Sequence, residues 1–262
     1  MGFSIDFYVK IFLEKISLFF SGEFLTFFIY IFSCTAIIFF YRFYKEWGLF
    51  VYTAIAIIGS NIQVLRLSYY SFNDDVFPLG TALFTSTFLV QDILVEHYGI
   101  DKAKKNIHIS FWAQIIFCIW MIIIVAHPHP TSSQTSNALL YDSSFHSTKA
   151  IEQLFIPSIR FFFSSLIAFY ISQWSDIIIF SKIRTKFHRC PSWIGQFFSM
   201  SLAGLIDSFI FSAFAWIILA HNPISWSQML LVYCFHTQIQ RVFFSLIAIP
   251  FFQLISHKNP QK

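Results

Sequence analysis

The chain has 262 residues, 56% of them hydrophobic and only 11% charged, with a mean hydropathy of +0.65. A soluble domain carries roughly 25% charged residues, so this balance excludes a water-soluble globular protein and describes a polytopic integral membrane protein, all-α, with the lipid bilayer as its surroundings. The formal charge of +4 is no nucleic-acid signal, because the basic residues sit in short loops rather than along one face.

Taken from the N-terminus, residues 3–20 hold Asp6, Lys10, Glu14 and Lys15 among apolar residues at helical spacing. They read as an interfacial amphipathic helix, and they lack the basic start and small-residue cleavage site of a removable signal peptide. A bilayer core asks for about 20 apolar residues per helix. Residues 24–41, 47–65 and 107–126 meet this without interruption; residues 79–97, 158–180, 193–220 and 228–255 meet it once single polar residues are tolerated. Seven spans are therefore predicted, the last with Pro250 as a kink near its end. Between the fourth and fifth, residues 127–157 are Ser/Thr-rich and read as a solvated linker. His127, His129 and His146 lie in that segment, but Pro128 and Pro130 make the first pair a stiff turn, and no metal site is expected. Cys34, Cys118, Cys190 and Cys234 have neither metal-knuckle nor disulfide spacing, and no cofactor is expected.

Orientation follows from Lys and Arg in the short loops. With the 98–106 loop placed inside, Arg42, Lys45, Lys102, Lys104, Lys105, Lys182, Arg184, Lys186, Arg189, Lys258 and Lys262 all fall inside. Only Lys10, Lys15, Arg66 and Lys149 fall outside. The bias predicts an external N-terminus and a cytoplasmic C-terminus. Trp47, Trp193 and Trp226, near span ends, read as interface anchors.

Charges inside the spans carry the functional expectation, since each costs at least ~2.5–3.5 kcal/mol on insertion scales. Asp92, Asp176 and Asp207 each interrupt a membrane-length segment. Asp92 and Glu96 are four apart on one helix face, with Glu96 nearer the cytoplasmic end, where Lys102, Lys104 and Lys105 can compensate it; Glu96 reads as structural. Gln173 and Asp176 are three apart on one face of the next acidic span. Asp207 is the deepest acid, flanked by Ser199, Ala203, Gly204 and Ser208, whose small size admits close helix approach or leaves room for a ligand. The last span adds His236 and Gln240 on one face and Arg241 beside them, with Asp207 the partner for Arg241 by depth. Arg160 starts its span at the outer side, in a position to snorkel. Tyr170, Trp174, Trp120 and Phe235 are candidates for stacking walls. There is no GxxxxGK[ST], HExxH or GxSxG motif. An intramembrane enzyme using paired acids is the rival reading.

The order of motifs resembles one family. Ser60–Asn61, an acidic-aromatic loop, TFLVQDILVEHYGIDKAKK, Arg160, SQWSD with SKIR, the deep Asp207 and YCFH in the last span are similar to the queuosine precursor transporter family, also called the vitamin uptake transporter family. The resemblance covers residues 47–256 and implies a six-helix membrane core that imports 7-deazaguanine bases (queuine, 7-aminomethyl- or 7-cyano-7-deazaguanine) through the bacterial inner membrane for tRNA modification. Residues 1–23 would then be an amphipathic segment, 24–46 an added span and loop, and 257–262 a cytoplasmic tail. The family pattern falls on Asn61, Asp92, Glu96, Gly99, Arg160, Gln173, Asp176 and Asp207, and one position departs: His236 stands where the family has Lys. Asn61, Asp92, Gln173, Asp176, Asp207, His236, Gln240 and Arg241 are the expected substrate contacts, with Glu96 and Arg160 structural or coupling. A homodimer, or a separate ATPase that energises the chain, stays open as a partner.

Overall fold

The computed structural model describes residues 20–70, 73–128, 138–187 and 189–256, with residues 9, 10, 12, 15 and 16 before them. Most of the expected interfacial helix, and His129 in the loop, therefore lie outside the described residues. Helix α1 (Gly22–Gln63) is followed by a short antiparallel hairpin of β1 (Leu67–Tyr70) and β2 (Asn73–Pro78). Then come α2 (Thr81–Tyr98), α3 (Ile100–Val125), α4 (Ala138–Lys186), α5 (Ser192–Ile218) and α6 (Trp226–Ser256). The sequence predicts an all-α membrane bundle and the structure is one, with the hairpin over residues 67–78 as an addition. Periodicity treated that stretch as a loop.

Among the described residues, five helices are long and apolar enough to cross a membrane: α1, α3, residues 159–186 of α4, α5 and α6. At 42 residues α1 would run ~63 Å if straight, about twice the hydrocarbon core. It is folded back on itself at Lys45, whose φ of 55° and ψ of −134° leave the helical region. The result is two antiparallel arms, residues 22–44 and 46–63. Phe40 and Tyr52 lie 6.3 Å apart by ring centroids, and one cavity wall runs from Phe28 and Phe40 on the first arm to Gln63 and Tyr52 on the second. A non-glycine residue at positive φ is strained, and Lys45 offsets this by laying its ammonium 5.5 Å from the Tyr41 ring centre.

Helix α2 differs from the rest. Residues 84–94 are buried without a break, so the helix has no lipid-facing side there. Several of its polar residues are met by neighbours: Tyr52 pairs with Ser86 at 2.6 Å, and Gln173 Nε2 donates to Thr87 Oγ1 at 2.8 Å. Gly99, at φ +83°, makes the turn from α2 into α3.

Two corrections concern the long segment after α3. From Ala138 the expected linker is helical and continuous with the membrane span, giving an α4 of 49 residues. Local pairs support that extension, among them His146 with Asp142 at 3.5 Å, one turn apart. The partner of Glu96 is also different: Arg184 of α4 grips it with two bonds of 3.0 Å and Ser192 donates a third at 2.8 Å, while Lys102 pairs with Glu46 at 2.7 Å. These contacts define a basic end of the bundle. The β-hairpin marks the other.

Candidate functional site

Near the hairpin end a cavity opens between the second arm of α1, the start of α2, the middle of α4 and the facing ends of α5 and α6. Asn61, Phe84, Asp207, Trp216, Tyr233 and Arg241 are among its walls. At its floor Arg241 Nη2 donates to Asp207 Oδ2 at 2.5 Å, and Ser172 Oγ donates to Asp207 Oδ1 at 3.2 Å. Both charged side chains are nearly sealed from solvent, at 5% and 6% exposure, so each depends on the other to offset its desolvation. Gly204 lies opposite the pair. A Cβ there would stand 2.9 Å from Arg241 Cδ, so any larger residue would have to displace the arginine side chain.

Arg241 is not saturated by that contact. Its Nε and Nη1 have no hydrogen-bond partner, and neither have Ser208 Oγ and Trp216 Nε1. Buried donors without partners cost ~1–3 kcal/mol each, and here they gather around one space. The walls are aromatic: Trp216 and Tyr233 stack with centroids 4.9 Å apart and planes 26° apart, Phe161 meets Trp216 edge-on at 5.3 Å, and Arg241 lies 5.5 Å from the Phe84 ring centre. Arg160 caps this group, its guanidinium 4.7 Å from Phe161 and 5.7 Å from Trp216. Beside these rings it keeps an intermediate exposure. The cavity holds about 70 Å³, well below the ~300–1,000 Å³ of small-molecule pockets. A planar ring system would need more room than this cavity holds.

A second group of buried acids sits toward the basic end. Ser199 Oγ lies 3.0 Å from both oxygens of Asp92 and also faces Asp176. Asp92 and Asp176 are within electrostatic reach of each other, both at zero exposure. Neither oxygen of Asp176 has a hydrogen bond of good geometry, and Gln173 Oε1 is likewise unpaired.

The expected site residues therefore divide. Asn61, Asp207 and Arg241 meet at the cavity. Asp92, Gln173 and Asp176 form the second cluster, outside that cavity's walls. His236 and Gln240 line neither; His236 Nδ1 lies 3.3 Å from the Val232 carbonyl of its own helix. Tyr233, Thr237 and Arg241, spaced four apart, form the row that faces the cavity, and His236 and Gln240 lie on the neighbouring row. Of the expected stacking residues, Trp120 and Phe235 point outward at 61% and 59% exposure, and Tyr170 and Trp174 pack against His108 beneath Lys104.

Two features escaped the sequence reading. Trp216 and Tyr233 were the real aromatic walls, each in a π-helical segment that periodicity does not announce. The other is a polar seam on α3: Asn106, Ser110 and Gln114 recur every four residues and are all buried. Asn106 Nδ2 donates to Thr53 at 3.1 Å and to Gln91 at 3.2 Å, and Asn61 Nδ2 donates to Gln114 at 3.2 Å. Their spacing of four was the available signal, split between the 98–106 loop and the 107–126 span.

Comparison with known proteins places this geometry. No solved structure matches the chain. A "Probable queuosine precursor transporter" of Bacillus subtilis (strain 168) is 28% identical over 186 residues, which are 69% of this chain and 73% of the relative. A protein of the same description from Haemophilus influenzae is 24% identical over 136 residues, 52% of this chain and 50% of the relative. The family model described as "Putative vitamin uptake transporter" matches residues 78–255, from the end of β2 to the end of α6. That match covers both acid clusters but begins after Asn61 and the α1 hairpin. A multi-pass helical bundle with a polar, aromatic-walled cavity inside it, matched over more than half its length, belongs to the vitamin uptake transporter family.

Proposed function

We propose that the protein imports queuosine precursors, 7-deazaguanine bases such as queuine and its 7-cyano and 7-aminomethyl relatives, across a bacterial inner membrane. The observation that carries this reading is the cavity with Asp207 and Arg241 at its floor. A guanine-type ring presents adjacent N–H donors on its pairing edge and a carbonyl oxygen beside them. A carboxylate accepts from such donors and an arginine donates to such an oxygen, as both do in base recognition. The unpaired Nε and Nη1 of Arg241 supply the donors, and Asp207 the acceptors once its bond to Arg241 loosens. Aromatic faces such as Trp216 and Tyr233 suit the flat ring. The names of the two relatives point to the same substrate class. The excess of Lys and Arg at one end supports a reading in which that end is cytoplasmic and the cavity lies nearer the outside.

The test is restoration of queuosine in tRNA. A bacterium lacking both queuosine synthesis and its own transporter, given the gene and each base in turn, regains modified tRNA with at least one of them. Asp207→Asn, which keeps the shape and one acceptor, lowers uptake by about a hundredfold, on the ~2–3 kcal/mol scale of a charged hydrogen bond. Wild-type protein that reaches the membrane and restores nothing with any of the three bases would refute the reading.

A further inference from the structure

The acid pair toward the basic end has no task in holding the base, and its chemistry differs from that of the cavity floor. Four carboxylate oxygens, two on Asp92 and two on Asp176, face a single hydroxyl donor, Ser199 Oγ. That one proton is also contested by the Gln196 carbonyl at 3.1 Å. Both acids are fully buried, and no basic side chain among the described residues forms an ion pair with either. The charged groups on the surrounding helices are engaged elsewhere. On α2 and α4, Glu96 binds Arg184; on α1 and α3, Glu46 binds Lys102. Lys104 lies over Trp174 and His108 against Tyr170, while Asp207 and Arg241 of α5 and α6 hold each other. Gln173 Oε1, one turn before Asp176 on the same helix face, adds a further buried oxygen without a donor.

Acceptors in such excess, sealed from water and without a countercharge, require a cation. Neither acid lines any of the cavities described for the protein, and no cluster of metal-ligand type is found among the described residues. A proton needs neither space nor a coordination shell. Resting on the import reading above, we propose that Asp92, held by Ser199, and the adjacent Asp176 bind the proton that drives uptake. A carboxylate oxygen takes up H⁺ from the outer side and releases it to the cytoplasm, with no other bond made or broken.

Purified protein in sealed vesicles, with radiolabelled 7-cyano-7-deazaguanine as the probe, separates this role from base binding. An outside medium one pH unit more acidic than the lumen drives wild-type accumulation up to about tenfold, the limit for one proton per uncharged base. Asp176→Asn, an isosteric mimic of the protonated acid, still binds the probe and equilibrates it across the membrane but no longer accumulates it, and Asp92→Asn behaves likewise. The proposal falls if wild-type protein binds and equilibrates the probe without responding to the pH gradient. It falls equally if a sodium gradient replaces the proton gradient, if both variants accumulate as wild type does, or if both lose probe binding. Failure of wild-type protein to bind the probe at all overturns instead the import reading on which the proposal rests.

Discussion

Two carboxylate sites lie inside one bundle, and the protein treats them in opposite ways. Asp207 is given its countercharge by Arg241, borders an aromatic-walled cavity and is reached from the hairpin end. Asp92 and Asp176 line none of the cavities described; Asp92 has one hydroxyl in place of a countercharge, and Asp176 has no hydrogen bond. The difference is one of where the compensating cation comes from. An acid with a built-in partner can stay ionised and recognise a neutral polar ligand; acids without one depend on a cation that arrives and leaves. Burial alone does not distinguish these cases, since all three aspartates are almost fully enclosed. The partner list does.

The comparison breaks most visibly at Arg241. Its replacement by Met leaves Asp207 uncompensated, and removing one member of a buried pair costs ~3–5 kcal/mol. The thermal midpoint of the detergent-purified protein is expected to fall sharply. Adding Asp207→Leu to the same chain removes the orphaned charge, so most of the midpoint returns while base uptake stays absent. A double variant as unstable as Arg241→Met alone would show that the pair is more than mutual compensation.

Gly204 sharpens the comparison at smaller cost. Gly204→Ala pushes a Cβ against Arg241 Cδ, an overpacking of ~1–3 kcal/mol. Because the displaced side chain belongs to the cavity and not to the second cluster, the expected result is weaker base binding with an unchanged response to a pH gradient. Equal loss of both would join the two sites into one.

Lys102→Ala sets the lower bound. This ion pair with Glu46 sits at the basic end with the lysine 41% exposed, and exposed pairs contribute ~0–1 kcal/mol. Stability and uptake should both stay within error of wild type. A large loss would mean that charges at the basic end act on the buried acids from a distance.

What the sequence disclosed follows from the physics each feature uses. Apolar stretches long enough for a bilayer give away the helices, and all seven expected spans are helical, the two arms of α1 included. Depth alone paired Asp207 with Arg241. Residues 138–157 read as a linker because their Ser, Thr and charged residues lack an apolar stripe, yet they extend α4 as a helix. Residues 67–70 and 73–78 pair as antiparallel strands, which leave no helical period. His236 and Gln240 share one face of α6, but the row that lines the cavity is the adjacent one, Tyr233, Thr237 and Arg241, and spacing alone does not tell which of two neighbouring rows turns inward. Glu96 went to nearby lysines because sequence distance favours them, whereas its partner Arg184 is 88 residues away.

The position of α2 bears on how the protein reaches its membrane. This central helix is not among those apolar enough to cross by composition, because Gln91, Asp92 and Glu96 join a run of Ser and Thr. A translocation channel sorts each emerging segment by its own affinity for lipid, and an aspartate near the centre weighs against release by ~2.5–3.5 kcal/mol. Ser199, which answers Asp92, is synthesised 107 residues later. During that interval α2 is a guest of its apolar neighbours, the α1 hairpin before it and α3 after it. The nascent chain thus has a provisional architecture, in which the segment that will become the core is held in the bilayer by its flanks.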